Sequence, residues 1–163
     1  MAENGTLIPV GEQWIIDVRH LFPPQPGSFV ARERPVTNII GIAVHHDAAI
    51  MAPGDRNFDG STLDEDLARL RIIYQVGLDR GWGGFPYHVV ISPNGRVFYT
   101  TDVRRFGAQV AHRNHELVGM ALMGNFTFAR PGQTQLCAGG LGLVALWAFI
   151  GQLRDVRGHR EWA

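Results

Sequence analysis

An apolar run, residues 39–44, stops abruptly at His45, His46 and Asp47. The run is rich in β-branched residues and does not alternate with polar ones, which is typical of a strand buried on both faces of a sheet. Polar residues at the end of such a strand lie at the rim of the sheet, where they are free to take part in chemistry. We therefore expect a central sheet with a functional site beside the two histidines.

Several other segments predict that helices and strands alternate along the chain. Residues 62–79 begin with a capping box and continue with apolar residues at helical spacing, so they predict a helix. Residues 87–91 and 96–100 flank an Asn-Gly turn and predict a β-hairpin. Residues 117–124 predict a second central strand, and residues 134–153 predict an apolar helix despite its glycines. This order predicts an α/β fold with a mixed central β-sheet flanked by helices.

The N-terminal residues and one internal segment give weaker signals. Residues 14–18 suit either a short strand or a helical turn, and the prolines within residues 22–27 forbid regular structure. We expect residues 1–35 to form an irregular arm packed on a domain that spans residues 36–163. Residues 48–61 are expected to form a loop that follows the histidines and lines a cleft.

Composition excludes some classes of function. A chain of 163 residues with a formal net charge of zero suits one domain and gives no electrostatic reason to expect a nucleic-acid partner. The single cysteine, Cys137, cannot form an internal disulfide, and no apolar run is as long as a membrane span. The first residues lack the features of a secretory signal. We expect a monomer made in the cytoplasm that binds neither nucleic acid nor membrane.

Four ordered segments together resemble one enzyme family. Residues 44–48 (VHHDA) end a strand with paired histidines, and residues 86–98 combine a Tyr-His strand with a hairpin. Residues 106–126 contain a Phe-Gly-Ala loop and the strand after it, and residues 158–160 read Gly-His-Arg. The set resembles the zinc-dependent N-acetylmuramoyl-L-alanine amidases of the second type, which include phage endolysins and are similar to the peptidoglycan recognition proteins.

This resemblance implies a zinc hydrolase that acts on bacterial peptidoglycan. The bond cut would be the amide between the lactyl group of N-acetylmuramic acid and L-alanine. His45 and His159 would bind Zn²⁺, and Tyr87 would be catalytic, with its hydroxyl near the developing oxyanion. A hydrolytic zinc site needs about three protein ligands and one open position for a water whose pKa falls to roughly 7. The action would take place at the cell wall, as for a phage lysin.

The resemblance also names residues on the substrate side. Gln109 stands where many relatives carry a substrate-contacting histidine, and Asn114 lies in the same loop. His46 is a further candidate for substrate binding. Because neighbouring strand residues point to opposite faces, the alternation favours a supporting role for His46 over metal binding.

A departure from the family pattern and one further motif leave other functions open. The third zinc ligand, a cysteine or aspartate in the family, is expected beyond Ala163. Cys137 is not assigned to this role, because it lies before His159 in the sequence and within a predicted helix. The chain would then bind zinc weakly. A peptidoglycan-binding module without catalysis is therefore an alternative. A metal-dependent nuclease built on residues 112–115 (HRNH) is a third possibility, which the absence of a basic patch disfavours.

Overall fold

A computed structural model describes residues 5–48 and 61–163. Seven strands and three α-helices are present in these ranges. The strands are β1 (Thr6–Val10), β2 (Gln13–Asp17), β3 (Gly41–His46), β4 (Val89–Ile91), β5 (Val97–Tyr99), β6 (Leu117–Leu122) and β7 (Asp155–Gly158). The helices are α1 (Leu63–Asp79), α2 (Gln133–Ile150) and α3 (His159–Trp162).

The strands form a single mixed sheet in the order β1-β2-β5-β4-β6-β3-β7. Strands β4, β6, β3 and β7 are parallel neighbours, whereas β1 and β2, like β4 and β5, pair antiparallel. Strand β3 therefore lies inside the sheet, between β6 and β7. The predicted α/β architecture with a mixed central sheet flanked by helices is confirmed.

Each face of the sheet has its own apolar core. On one face, Ala145, Leu146 and Ile150 of α2 pack with alternate strand residues such as Ile42 and Met120. On the other, Leu67, Leu70 and Ile73 of α1 pack with Val90 and Ala121. Because His45 is in register with Ala121, its side chain belongs to the α1 face, and that of His46 belongs to the α2 face.

The N-terminal arm differs from the prediction. Instead of an irregular segment over residues 1–35, β1 and β2 form a hairpin through Gly11, whose φ of 61° suits a tight turn. Strand β2 pairs in parallel with β5, so this hairpin extends the central sheet. Pro9 lowers the strand signal of the sequence, and it is tolerated here because β1 is an edge strand.

The remaining elements agree with the prediction except at their ends. The helix predicted over residues 134–153 ends at Ile150, because Gly151 adopts a left-handed conformation with φ of 78°. The strand predicted to begin at residue 39 begins at Gly41. The predicted cleft loop, residues 48–61, lies mostly outside the described residues. The sequence pattern predicts neither β7 nor α3 as an element, and both bear on the site.

Helix α2 carries no charged residue. By length and composition alone it could cross a membrane, and it is the one such helix in residues 5–48 and 61–163. In the structure one side of it packs on the sheet. Core helices of globular proteins meet the same two criteria.

Candidate metal centre

Strands β3 and β7 bring the two predicted zinc ligands together. The strands are parallel, with Val44 paired to Gly158, so the residues that follow, His45 and His159, lie side by side. Their imidazole rings are stacked, with centroids 4.7 Å apart and 28° between the ring planes. Two histidines that are far apart in the sequence thus form one site at the rim of the sheet.

His45 carries a ring nitrogen without a partner. Its Nε2 atom is buried and makes no hydrogen bond. Burial, together with the neighbouring His159 and His46, lowers the pKa of His45 to about 3. The ring is therefore neutral at physiological pH, which is the form in which histidine binds metals. Because an unpartnered buried polar atom is costly, a bound cation at Nε2 would satisfy it.

Tyr87 lies against the same histidine. The centroids of the Tyr87 and His45 rings are 5.3 Å apart. Burial, and to a smaller extent the carboxylate of Asp47, raises the pKa of Tyr87 to about 12. The phenol, like an ordinary tyrosine, keeps its proton at neutral pH, and the raised pKa extends this range to more alkaline pH.

The histidine pair suits zinc as two of its ligands, since the two rings lie in contact and one has a free buried nitrogen. A complete set is not found in the described ranges, where no group of three or more His, Cys, Asp or Glu side chains could hold a metal ion. Cys137 is exposed on α2, which packs on the opposite face of the sheet. A third ligand beyond Ala163 stays a prediction.

Asp47 lies close to the site, but its carboxylate is already engaged in hydrogen bonds. Its carboxylate accepts hydrogen bonds from Nε and Nη2 of Arg69, at 2.7 and 2.9 Å, and from the Gly124 amide at 2.9 Å. The Asp47 side chain is 1% exposed and that of Arg69 is 6% exposed. This buried pair ties the end of β3 to α1 and to the end of β6. Asp47 therefore holds the strand that carries His45.

His46 faces away from the stacked pair. Its Nδ1 accepts a hydrogen bond of 2.9 Å from the Phe126 amide, and its ring stacks on that of Phe126 with centroids 6.1 Å apart. These contacts join the end of β3 to the segment after β6. The structure thus gives His46 a supporting contact, and its predicted role in substrate binding stays a prediction.

Gln109 and Asn114 shape the loop before β6. Nε2 of Gln109 donates to the Leu117 carbonyl at 2.9 Å, and its buried Oε1 has no partner. Oδ1 of Asn114 accepts from the backbone amides of Gln109 and Val110, at 2.9 and 3.0 Å. The side-chain amide of Gln109 is thus buried, and the side chain of Asn114 closes a turn. Contact of either residue with substrate stays a prediction.

Two residues that support the site are absent from the candidates that the sequence predicts. Arg69 lies in the apolar stripe of α1, where a buried cation requires a partner. A charged residue on the core side of a helix is thus a signal for a buried counter-ion, which here is Asp47. Trp162 is expected from the sequence only to pack, although it lies three residues after His159.

No family model matches the chain, and no curated protein sequence matches it. Solved structures do. The chain is similar to bumblebee PGRP-SA, with a TM-score of 0.72 and 20% identity over 91% of this chain and 84% of that one. It is similar to the N-acetylmuramoyl-L-alanine amidase endolysin LysCS of Clostridium intestinale, with a TM-score of 0.63 and 17% identity over 94% of this chain and 85% of the endolysin.

A third similar structure is the complex of the PGRP-LCa and PGRP-LCx ectodomains bound to tracheal cytotoxin. Its TM-score is 0.65, and the identity is 22% over 77% of this chain and 73% of that one. At these levels of identity the similarity concerns the fold. The chain therefore has the fold shared by peptidoglycan recognition proteins and N-acetylmuramoyl-L-alanine amidase endolysins.

Proposed function

We propose that the protein is a zinc-dependent peptidoglycan amidase. The observation that carries the proposal is the buried, unpartnered Nε2 of His45, with the ring stacked on that of His159 and lying beside that of Tyr87. Two histidine rings in contact at the rim of a sheet, with one buried nitrogen free, suit a metal better than a structural role. The scissile bond would be the amide between N-acetylmuramic acid and L-alanine.

Each residue of the site has a distinct task in this proposal. His45 and His159 would hold zinc, which when bound supplies an activated water and polarises a carbonyl. Tyr87, which is protonated at neutral pH, would donate a hydrogen bond to the oxygen that becomes negative in the transition state. Asp47 and Arg69 would keep the end of β3, and with it His45, in place.

The structural neighbours support peptidoglycan as the partner. Two of them are named as N-acetylmuramoyl-L-alanine amidases of Clostridium intestinale, and another is a recognition-protein complex bound to tracheal cytotoxin. Enzymes and binding proteins thus share this fold. We place the action of the present protein at the bacterial cell wall.

The test measures zinc binding and hydrolysis together. The full-length protein, its His45→Ala and His159→Ala variants and a chelator-treated sample are incubated with purified peptidoglycan. Release of stem peptides with a free L-alanine amino group is then followed. We expect release only from the wild-type protein with Zn²⁺, and tight zinc binding that either substitution abolishes. Absence of zinc-dependent stem-peptide release from the full-length protein would refute the proposed amidase activity.

A second function has its own supporting observation. Residues 5–48 and 61–163 supply two candidate zinc ligands and no third, as a peptidoglycan-binding protein without catalysis would. This alternative predicts that the full-length protein is retained by insoluble peptidoglycan with no release of stem peptides at any zinc concentration. Retention without hydrolysis would favour the binder, and hydrolysis would exclude it.

A further inference from the structure

Trp162 fixes the last described helix to the strand that carries His45. Its indole Nε1 donates a hydrogen bond of 3.1 Å to the carbonyl of Ile42 in β3. The residue is 5% exposed and packs with Ala43, Val110 and Leu117. Strand β3 therefore provides His45 at its end and, three residues earlier, the carbonyl that anchors Trp162.

The space for the indole depends on a glycine. A Cβ atom placed on Gly41 would lie 2.4 Å from the Trp162 ring, closer than any real contact. Gly41 is the first residue of β3, so the indole lies directly on the strand backbone. A side chain at this position would displace the Trp162 indole without changing the sequence of α3.

Two arginines hold the indole from other directions. The guanidinium carbon of Arg113 lies 5.0 Å from the ring centroid of Trp162, and that of Arg157 lies 4.7 Å from it. Arg113 also donates to the Trp162 carbonyl at 3.2 Å. Contacts of this kind stabilise an aromatic ring by cation–π attraction. They tie α3 to the loop of Gln109 and Asn114 on one side and to β7 on the other.

The short helix α3 links the position of the Trp162 indole to that of His159. Helix α3 consists of four residues that begin at His159 and end at Trp162. Residues three apart on a helix lie on the same side, so there is little freedom between the two side chains. The amide of Gly158 is also held by Glu161 Oε2 at 2.6 Å. Once the indole is fixed on β3, the position of the exposed His159 ring opposite His45 is largely determined.

We propose that Trp162 is a positioning residue for the metal centre, which sets the distance between the His159 and His45 rings. The inference rests on the proposed zinc function, but its geometric part holds for either an enzyme or a binder. Residues that orient a metal ligand change metal affinity by about tenfold or more when replaced. The loop that contributes Arg113 thereby also supports the zinc ligand.

The experiment compares Trp162→Leu, Gly41→Ala and the conservative Trp162→Phe with the wild-type full-length protein. Trp14→Leu is the matched control, because that tryptophan is 58% exposed on β2. The first measurement is the nuclear Overhauser contact between the His45 and His159 ring protons without metal. The second is the affinity for Zn²⁺ alone, measured by competition with a chelator.

We expect the ring contact to disappear and the zinc affinity to fall about tenfold or more in Trp162→Leu and Gly41→Ala. Trp162→Phe keeps an aromatic ring but loses the Nε1 donor, so a weakened contact and a smaller loss of affinity are expected. The control should match the wild type. If Trp162→Leu does not fold, the ring contact and the zinc affinity of Trp162→Phe decide the test.

An unchanged ring contact in folded Trp162→Leu or Trp162→Phe would overturn the inference. Failure of the proposed function gives a different result. In that case the wild-type protein binds no zinc, while the ring contact still responds to the substitutions. A fall in zinc affinity that is as large in Trp14→Leu would also contradict a specific role of Trp162.

Discussion

The guanidinium of Arg69 forms a two-point ion pair with the carboxylate of Asp47, and both side chains are buried. The pair joins the middle of α1 to the residue that follows the two histidines of β3. Its third hydrogen bond, from the Gly124 amide, brings in the segment after β6. Three elements that surround the candidate site therefore meet at one carboxylate.

Arg69→Met should lower the free energy of unfolding by about 3 kcal/mol, because it leaves a buried carboxylate without its counter-ion. Urea unfolding measures the change. Arg104→Met is the matched control, since the Arg104 side chain, which pairs with Asp102, is 68% exposed and its loss should change stability little. The double variant Asp47→Leu/Arg69→Met should recover part of the loss. Equal losses in Arg69→Met and the control would contradict a structural role for the buried pair.

Tyr87→Phe should lower the rate of peptidoglycan hydrolysis about 100-fold, since a single oxyanion donor contributes roughly 3 kcal/mol to transition-state stabilisation. Zinc affinity should not change, because the hydroxyl is not one of the proposed ligands. Tyr74→Phe is a matched control, as that hydroxyl donates to the Pro23 carbonyl at 2.7 Å. Initial rates of stem-peptide release give the comparison. Full activity in Tyr87→Phe would exclude the oxyanion role.

His88 should make stability depend on pH. The buried ring accepts from the Gly119 amide at Nδ1 and contacts the Arg105 carbonyl through Nε2, both at 3.0 Å. Burial and the neighbouring Arg34 lower its pKa from 6.5 to about 3. The unfolded chain therefore binds a proton that the folded chain does not, and this contribution to stability is complete above pH 6.5 and is lost as the pH falls towards 3.

The expected slope from this one group is about 1.4 kcal/mol per pH unit below its unfolded pKa. Urea unfolding of the wild type and of His88→Gln is measured between neutral and mildly acidic pH. The difference between their free energies of unfolding isolates the contribution of His88, because the contributions of the other titratable groups cancel. His115→Gln serves as control, since the His115 side chain is 62% exposed. The same slope in His88→Gln and the wild type would contradict a buried neutral His88.

The sequence predicts the elements whose signals are local. Thr62 and Glu65 form the predicted capping box, with the Glu65 amide donating to Thr62 Oγ1 and the Thr62 amide donating to Glu65 Oε2. The Asn-Gly hairpin between β4 and β5 is also confirmed. In both cases neighbouring residues make the contacts, so the pattern and the structure coincide.

Strand β7 cannot be predicted in this way. Its residues are mostly exposed and include Asp155 and Arg157, so they show no apolar pattern. It is a strand because it pairs with β3 at the edge of the sheet. The same long-range pairing places His159 beside His45. The apolar run that ends at His45 indicates a site there, but its pairing with His159 could be proposed from the sequence only through a family resemblance. The Trp162 anchor depends on packing that no local pattern reveals.

Two helical glycines should respond in opposite directions to alanine. A Cβ atom on Gly77 in α1 would lie 2.0 Å from the Gly84 carbonyl oxygen, and this backbone contact cannot yield without moving the chain after the helix. A Cβ atom on Gly140 in α2 meets nothing within 4 Å. Alanine is favoured over glycine in a helix interior by roughly 0.5–1 kcal/mol.

Gly140→Ala should therefore raise the free energy of unfolding by up to about 1 kcal/mol, and Gly77→Ala should lower it. Urea unfolding of the two variants against the wild type measures both effects. Helical propensity alone predicts that both variants gain stability, so the sign of the Gly77→Ala effect separates packing from propensity. A gain for Gly77→Ala would mean that α1 does not approach Gly84 as the structure describes. That approach matters for the site, because Gly84 leads into the segment that carries Tyr87.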